Sequence, residues 1–169
     1  MELVIITGGS KGIGKSLVKR FCEEGAFVIS VARSELDFSH KNLVNHFTKD
    51  LSNLNDLTIL FSKIEMIIPN QAYQKVTLIN NAGVIGQIKK VGDHSIENIE
   101  KTIQVNLTAP MVASSLFISL MNKKDINLRI INISSGAAIN AYGGWSLYCS
   151  SKAGLELFYA SYPITPASD

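Results

Sequence analysis

Short apolar runs alternate along the chain with longer stretches whose apolar residues recur at helical spacing. Leu3–Thr7, Phe27–Ala32, Lys75–Asn80 and Leu128–Ser134 have the length and β-branched content of buried strands, and Leu43–Thr48 is a weaker one. Between them, Lys11–Glu24 carries Ile13, Leu17, Val18 and Phe21 at helical spacing, with Gly25 placed as a C-cap. The polar stretch Ser34–Lys41 predicts a loop. Ser52 is placed to cap a helix to about Ile67, which Pro69 closes. Ser95 is placed to cap a helix that bends near Asn106 and continues to about Lys124. A last helix is predicted from Ser146 to about Tyr159.

Strands separated by helices predict an α/β fold: a Rossmann-like doubly wound parallel sheet in three layers (α/β/α), with right-handed crossovers. Near-continuous apolar strands fit a sheet covered on both faces. Composition adds that 169 residues, 46% of them hydrophobic, suffice for one substantial core. The expected domain is residues 1–160, followed by an irregular tail at 161–169.

Charge narrows the function classes. With 16 basic and 14 acidic residues the net charge is +2, which argues against nucleic-acid and membrane-surface partners. Cys22 and Cys149 have no metal or disulfide spacing and read as reduced thiols of a cytoplasmic protein. The start, Met1 to Ile6, has no basic n-region of a signal peptide. The longest apolar stretch, about Ala109–Met121, is too short to span a bilayer. His40, His46 and His94 have no metal-ligand spacing and read as surface residues.

In a parallel sheet of this kind ligands bind beyond the carboxyl ends of the strands, so the residues after each strand carry the chemistry. After the first strand, Thr7-Gly8-Gly9-Ser10-Lys11-Gly12-Ile13-Gly14 leads into a helix. Glycines at 8, 12 and 14 allow a tight turn, a close phosphate approach and close helix–sheet packing, at a helix end with free N–H groups. The spacing and ending differ from those of a P-loop. After the second strand Arg33 stands where an acidic residue would hold the ribose hydroxyls of NAD. An arginine there, with Lys11, suits the 2′-phosphate of NADPH; the plainer reading of Arg33 is a solvated charge. After the third strand, Asp50 and Leu51 suit an adenine amino group and ring, or Asp50 simply leads the next helix. After the fourth comes Asn80-Asn81-Ala82-Gly83, and after the fifth Ser134-Ser135-Gly136.

Tyr148 and Lys152 lie four residues apart in Tyr-Cys-Ser-Ser-Lys. On a helix that places them on one face, about 5–6 Å apart at Cβ. An ammonium beside a phenol favours the phenolate. Moving a tyrosine from pH 10 to about 7 takes roughly 4 kcal/mol, and the result is an acid–base catalyst at neutral pH. A serine hydroxyl at the fifth strand end can donate to an oxygen gaining charge.

The set Thr7-Gly-x-x-x-Gly-Ile-Gly14, Asn80-Asn81-Ala82-Gly83, Asn106, Ser135 and Tyr148-x-x-x-Lys152 resembles the short-chain dehydrogenase/reductase family over residues 1 to about 160. The loop before Tyr148 is similar, more narrowly, to the sepiapterin-reductase-like members that reduce benzil-type aromatic diketones. The resemblance implies cofactor contacts from Gly8, Ser10, Lys11, Gly12, Ile13, Gly14, Arg33, Asp50, Leu51, Asn81, Ala82 and Gly83, together with Tyr148 and Lys152. It implies Tyr148 as proton donor to a small-molecule carbonyl substrate reduced by NADPH, with Lys152 lowering the tyrosine pKa and holding the nicotinamide ribose. Ser135, rather than its neighbour Ser134, would bind the carbonyl oxygen, and Asn106 would hold a water linking Lys152 to solvent. Tyr142 and Trp145 fit an aromatic wall for a bulky dicarbonyl, or equally core or dimer packing. Cys149 reads as a packing residue.

Family members continue beyond the tyrosine helix with further strands and a substrate lid. Here the sequence ends at Asp169, with Pro163 and Pro166 where that helix would run on. The last strands of the family fold are therefore expected to be missing, and strand five to be an apolar edge. Two functions follow: an NADPH-dependent carbonyl reductase, with a homodimer through the last two long helices as one way to complete it, or a catalytically inactive remnant that at most binds the dinucleotide.

Overall fold

The structure, a computed structural model, describes residues 2–39, 43–68, 73–121 and 126–160. In order these form β1 (Glu2–Thr7), α1 (Gly12–Glu23), β2 (Phe27–Ala32), β3 (Val44–Thr48), α2 (Leu54–Ile67), β4 (Lys75–Asn80), α3 (Ile96–Ile103), α4 (Ala109–Met121), β5 (Asn127–Asn132) and α5 (Ser146–Ala160). A π-helical turn, Gln104–Thr108, joins α3 to α4. The strands make one parallel sheet in the order β3-β2-β1-β4-β5. With its flanking helices this is a Rossmann-like α/β fold.

Residues through Gly83 together with Val112–Ile133 form one compact unit; Val84–Met111 together with the chain from Ser134 form the other. The first unit holds the whole sheet. Its central strands are buried along nearly their full length, as their unbroken apolar runs require. Val4, Ile6, Val28 and Ile79 from these strands meet Val18 and Cys22 of α1 and Ala26. Each large aliphatic residue so buried stabilises the fold by about 1.5–3 kcal/mol. In α2 the buried set Leu57, Leu60, Phe61, Ile64 repeats at helical spacing.

Local signals in the sequence set most element ends. Gly25, at φ +82°, closes α1: its N–H donates to Cys22 O (3.0 Å) and that of Ala26 to Phe21 O (2.9 Å), a Schellman arrangement. Ser95 caps α3, its hydroxyl accepting from Asn98 N–H at 3.3 Å. The cap of α2 differs from expectation. Asn53 Oδ1 accepts from Asn55 N–H, whereas Ser52 donates its own N–H and hydroxyl to Asp50 Oδ1, both at 2.9 Å. Once Asp50 has drawn Ser52 into its turn, Asn53 is the next side chain able to cap. β5 is two residues shorter than predicted at its end, which leaves Ser134 outside the sheet. Pro69, Lys124 and the tail 161–169, where helix ends and an irregular tail are expected, lie outside the described residues.

The expected bend at Asn106 is the π-helical turn, and the helical run around it is longer than the apolar stretch suggests. Ile96–Met121 is continuous over 26 residues, with a mean hydropathy of 1.4 in its most apolar window. Length and composition would therefore allow it to cross a bilayer. It nevertheless buries Thr102, Asn106 and Ser114, each hydrogen-bonded within the protein, as a core helix does.

Candidate active site

In the first unit the turn after β1 is built for close approach. Gly8 has φ +70° and Gly12 φ +52°, and Gly8 N–H donates to Val31 O at 2.7 Å. A Cβ on Gly14 would stand 2.1 Å from Gly8 O, and one on Gly8 2.9 Å from Ala82 Cα, so both positions demand glycine. The Asn81-Ala82-Gly83 turn braces this loop. Asn81 Nδ2 donates to Thr7 O (3.0 Å) and Gly8 O (3.2 Å), and Thr7 Oγ1 accepts from the N–H groups of Asn81 (3.0 Å) and Ala82 (3.1 Å).

α1 then begins with no side-chain cap on its first N–H groups and no acidic residue in its first turn. Its positive end is uncompensated, which suits a phosphate. Ser10 is half-buried, and Lys11 and Ile13 are exposed beside it. Arg33 is exposed at the end of β2. The carboxylates that follow are engaged elsewhere: Glu35 accepts from the Thr48 hydroxyl at 2.6 Å, and Asp37 pairs with Lys15 at 3.7 Å. Leu51 is buried, and Asp50 holds the Ser52 turn, the helix-leading role open to it from sequence. A glycine cradle that a Cβ would fill, with bare N–H groups and nearby cations, fits a dinucleotide diphosphate.

The second unit holds Asn106, Ser135, Tyr142, Trp145, Tyr148 and Lys152. Asn106 is fully buried and brought inward by the π-turn. Its Oδ1 accepts from Val84 N–H at 2.8 Å, and its Nδ2 donates to Val84 O at 2.7 Å and Ser151 Oγ at 3.0 Å. Ser151 in turn donates to Tyr148 O at 2.8 Å. This chain of bonds ties the π-turn to the turn of α5 that carries the tyrosine. Ser151 and the Val84 backbone went unnoticed in the sequence; a serine three residues after Tyr148, placed to bond back to its carbonyl, was the available signal.

Lys152 is 4% exposed, and its ammonium lies 5.8 Å from the centre of the Tyr148 ring. Burial pushes the Lys152 pKa below the ordinary lysine value. Of the serine pair, Ser134 donates to Glu156 Oε1, whereas Ser135 Oγ accepts from Ala137 N–H at 3.2 Å, which leaves its own proton available for donation. Tyr142, Trp145 and Tyr148 form a continuous aromatic row, with ring centres 5.5 and 5.7 Å apart.

Two histidines read as surface residues are not. His46 and His94 are half-buried, and both nitrogens of each ring have hydrogen-bond partners. His40 lies outside the described residues.

The short chain dehydrogenase family profile matches residues 2–163. The chain belongs to the short-chain dehydrogenase family. It is 42% identical over 162 residues to a benzil reductase ((S)-benzoin forming) of Bacillus subtilis (strain 168), covering 96% of this chain and 66% of that protein. It is 34% identical over 165 residues to the benzil reductase of Bacillus cereus, covering 94% and 66%. The chain thus spans just under two-thirds of the length of these relatives. Among solved structures, a metagenomic short-chain oxidoreductase in complex with NADP superposes with a TM-score of 0.83 at 26% identity, covering 95% of this chain and 73% of that one. A 4-hydroxyisoleucine dehydrogenase complexed with NADH also has a TM-score of 0.83 at 26% identity, covering 94% and 66%. Members of the fold therefore take either dinucleotide.

Proposed function

We propose that this oxidoreductase is an NADPH-dependent carbonyl reductase acting on ketones or aromatic diketones of the benzil type. The observation that carries the reading is the buried Lys152 beside the ring of Tyr148, on a helix turn anchored through Ser151 to Asn106. The cofactor, when bound, supplies hydride to the carbonyl carbon. Gly8, Gly12, Ile13 and Gly14 would hold its diphosphate, Asn81, Ala82 and Gly83 its middle, Leu51 and Asp50 its adenine, and Ser10, Lys11 and Arg33 a 2′-phosphate. The preference for the phosphorylated form rests on Arg33 and on the engagement of Glu35 and Asp37 elsewhere. Tyr148 donates the proton to the carbonyl oxygen, Ser135 donates a hydrogen bond to the same oxygen, and Lys152 stabilises the phenolate left behind. Asn106 holds the proton-supply end of the site. The aromatic row of Tyr142 and Trp145 suits the flat rings of a diaryl diketone.

The test is direct. NADPH absorbance is followed with benzil as substrate. Turnover is expected, and Tyr148→Phe is expected to reduce it by roughly 10²–10⁴-fold while NADPH still binds. Binding without turnover in the parent chain would leave a dinucleotide-binding protein in place of a reductase.

For assembly, we infer a homodimer through α4 and α5. α5 leaves Leu157 70% and Phe158 37% exposed, which supports an apolar contact there. Light scattering coupled to gel filtration reads the mass; a monomer at micromolar concentration would refute it.

A further inference from the structure

We infer that His46 is a positioning residue that sets the preference for a 2′-phosphorylated dinucleotide. The inference rests on the reading of the glycine loop as the dinucleotide cradle, and all its parts lie in the first unit. His46 stands on β3 in register with Ser30 of β2. Its Nε2 is 3.1 Å from Ser34 O, and a carbonyl only accepts, so the ring donates there. In the neutral ring Nδ1 then accepts from the Ser30 hydroxyl at 2.9 Å. Ser30 is fully buried, and its Oγ lies beneath the loop: a Cβ on Gly9 would stand 2.3 Å from it. Ser34, held through its carbonyl, faces Ser10 of the loop with its hydroxyl, Oγ to Oγ 2.9 Å.

One ring therefore fixes two supports of the same corner. Through Ser30 it sets the floor under Gly9, and through Ser34 it sets the turn that carries Arg33 and meets Ser10. The groups so arranged are the Ser10 and Ser34 hydroxyls with the Lys11 and Arg33 cations, a donor set for a phosphate monoester. The diphosphate part of the cradle, at Gly12 and Gly14, owes nothing to these bonds. Loss of His46 should weaken recognition of the 2′-phosphate and spare the rest of the dinucleotide.

Binding of NADPH, NADH and 2′,5′-ADP is measured by titration calorimetry on the full chain, wild type, Arg33→Ala, His46→Ala and His46→Gln. His46→Ala is expected to weaken NADPH and 2′,5′-ADP roughly tenfold, the equivalent of one hydrogen bond, with NADH changed less than about twofold. His46→Gln, which keeps a donor for Ser34 O, is expected to restore most of the loss. Ser30→Ala, which removes the hydroxyl bonded to His46 Nδ1 and leaves every phosphate-facing group in place, should reproduce the selective loss if His46→Ala fails to fold. Equal losses for NADPH and NADH, or none, while the wild type still prefers NADPH and Arg33→Ala abolishes that preference, would overturn the role of His46 alone. A wild type that binds NADH as tightly as NADPH would overturn the NADPH reading and this inference with it.

Discussion

Asn106 shows how much one side chain holds in place. It satisfies both backbone groups of Val84 and reaches Ser151, three hydrogen bonds from a residue with no exposed surface. Asn106→Ala leaves buried donors and acceptors unpaired and is expected to cost about 2–4 kcal/mol, read as a lower urea midpoint. It should also lower turnover, because Ser151 loses its tie below Tyr148. A variant with unchanged stability would show that the π-turn is held by packing alone. Cys22 offers a second residue-scale test. Burial, with a smaller push from Glu23, raises its thiol from 9.0 to about 11. A raised native pKa contributes stability that is complete below pH 9 and lost as pH rises through about 11. At pH 8 an alkylating reagent should modify Cys149 and reach Cys22 only after unfolding, which peptide mass mapping resolves. The sequence made the glycine loop, Arg33, Asn106 and the Tyr148–Lys152 spacing legible because each is a local pattern. It did not reveal His46, whose partners Ser30 and Ser34 are brought to it by strand pairing.

At the scale of elements, punctuation residues did most of the specifying. Gly25 was readable as the stop of α1 because a position with φ +82° penalises any side chain. Gly25→Ala is expected to lose about 1–2 kcal/mol, with a matching drop in melting temperature, although a Cβ there meets nothing within 4 Å. An unchanged melting temperature would mean that the turn relaxes to another conformation. Where several capping residues compete, sequence reads less well. Ser52 and Asn53 are adjacent candidates, and only the turn closed by Asp50 decides between them. The bend near Asn106 was legible as a place and not as a form. A π-turn is recognised from its hydrogen-bond spacing, which no residue in Gln104–Thr108 announces.

At the scale of the whole molecule the strand order leaves β3 and β5 at the two edges of the sheet, and β5 is the more apolar of them. β5 pairs only with β4 among the described residues, and its Leu128, Ile130 and Ile131 are half-buried where the central strands are fully covered. Asn127 N–H donates to Gln74 O and Ile133 N–H to Asn80 O, both toward β4. With a two-residue period, the N–H groups of Leu128 and Ile130 then point outward, a row able to pair with another strand. Its occupant in solution is either more of the same sheet or another molecule, and in the second case association should grow with concentration. Leu128→Pro removes one outward donor without breaking the ladder to β4, since proline is tolerated where the N–H faces away from the sheet. In a concentration series followed by light scattering, that variant should associate less than the parent at equal concentration while its far-ultraviolet circular dichroism stays the same. If both scatter alike, association runs through the helices, and exposed Leu157 and Phe158 of α5 become the surface to change.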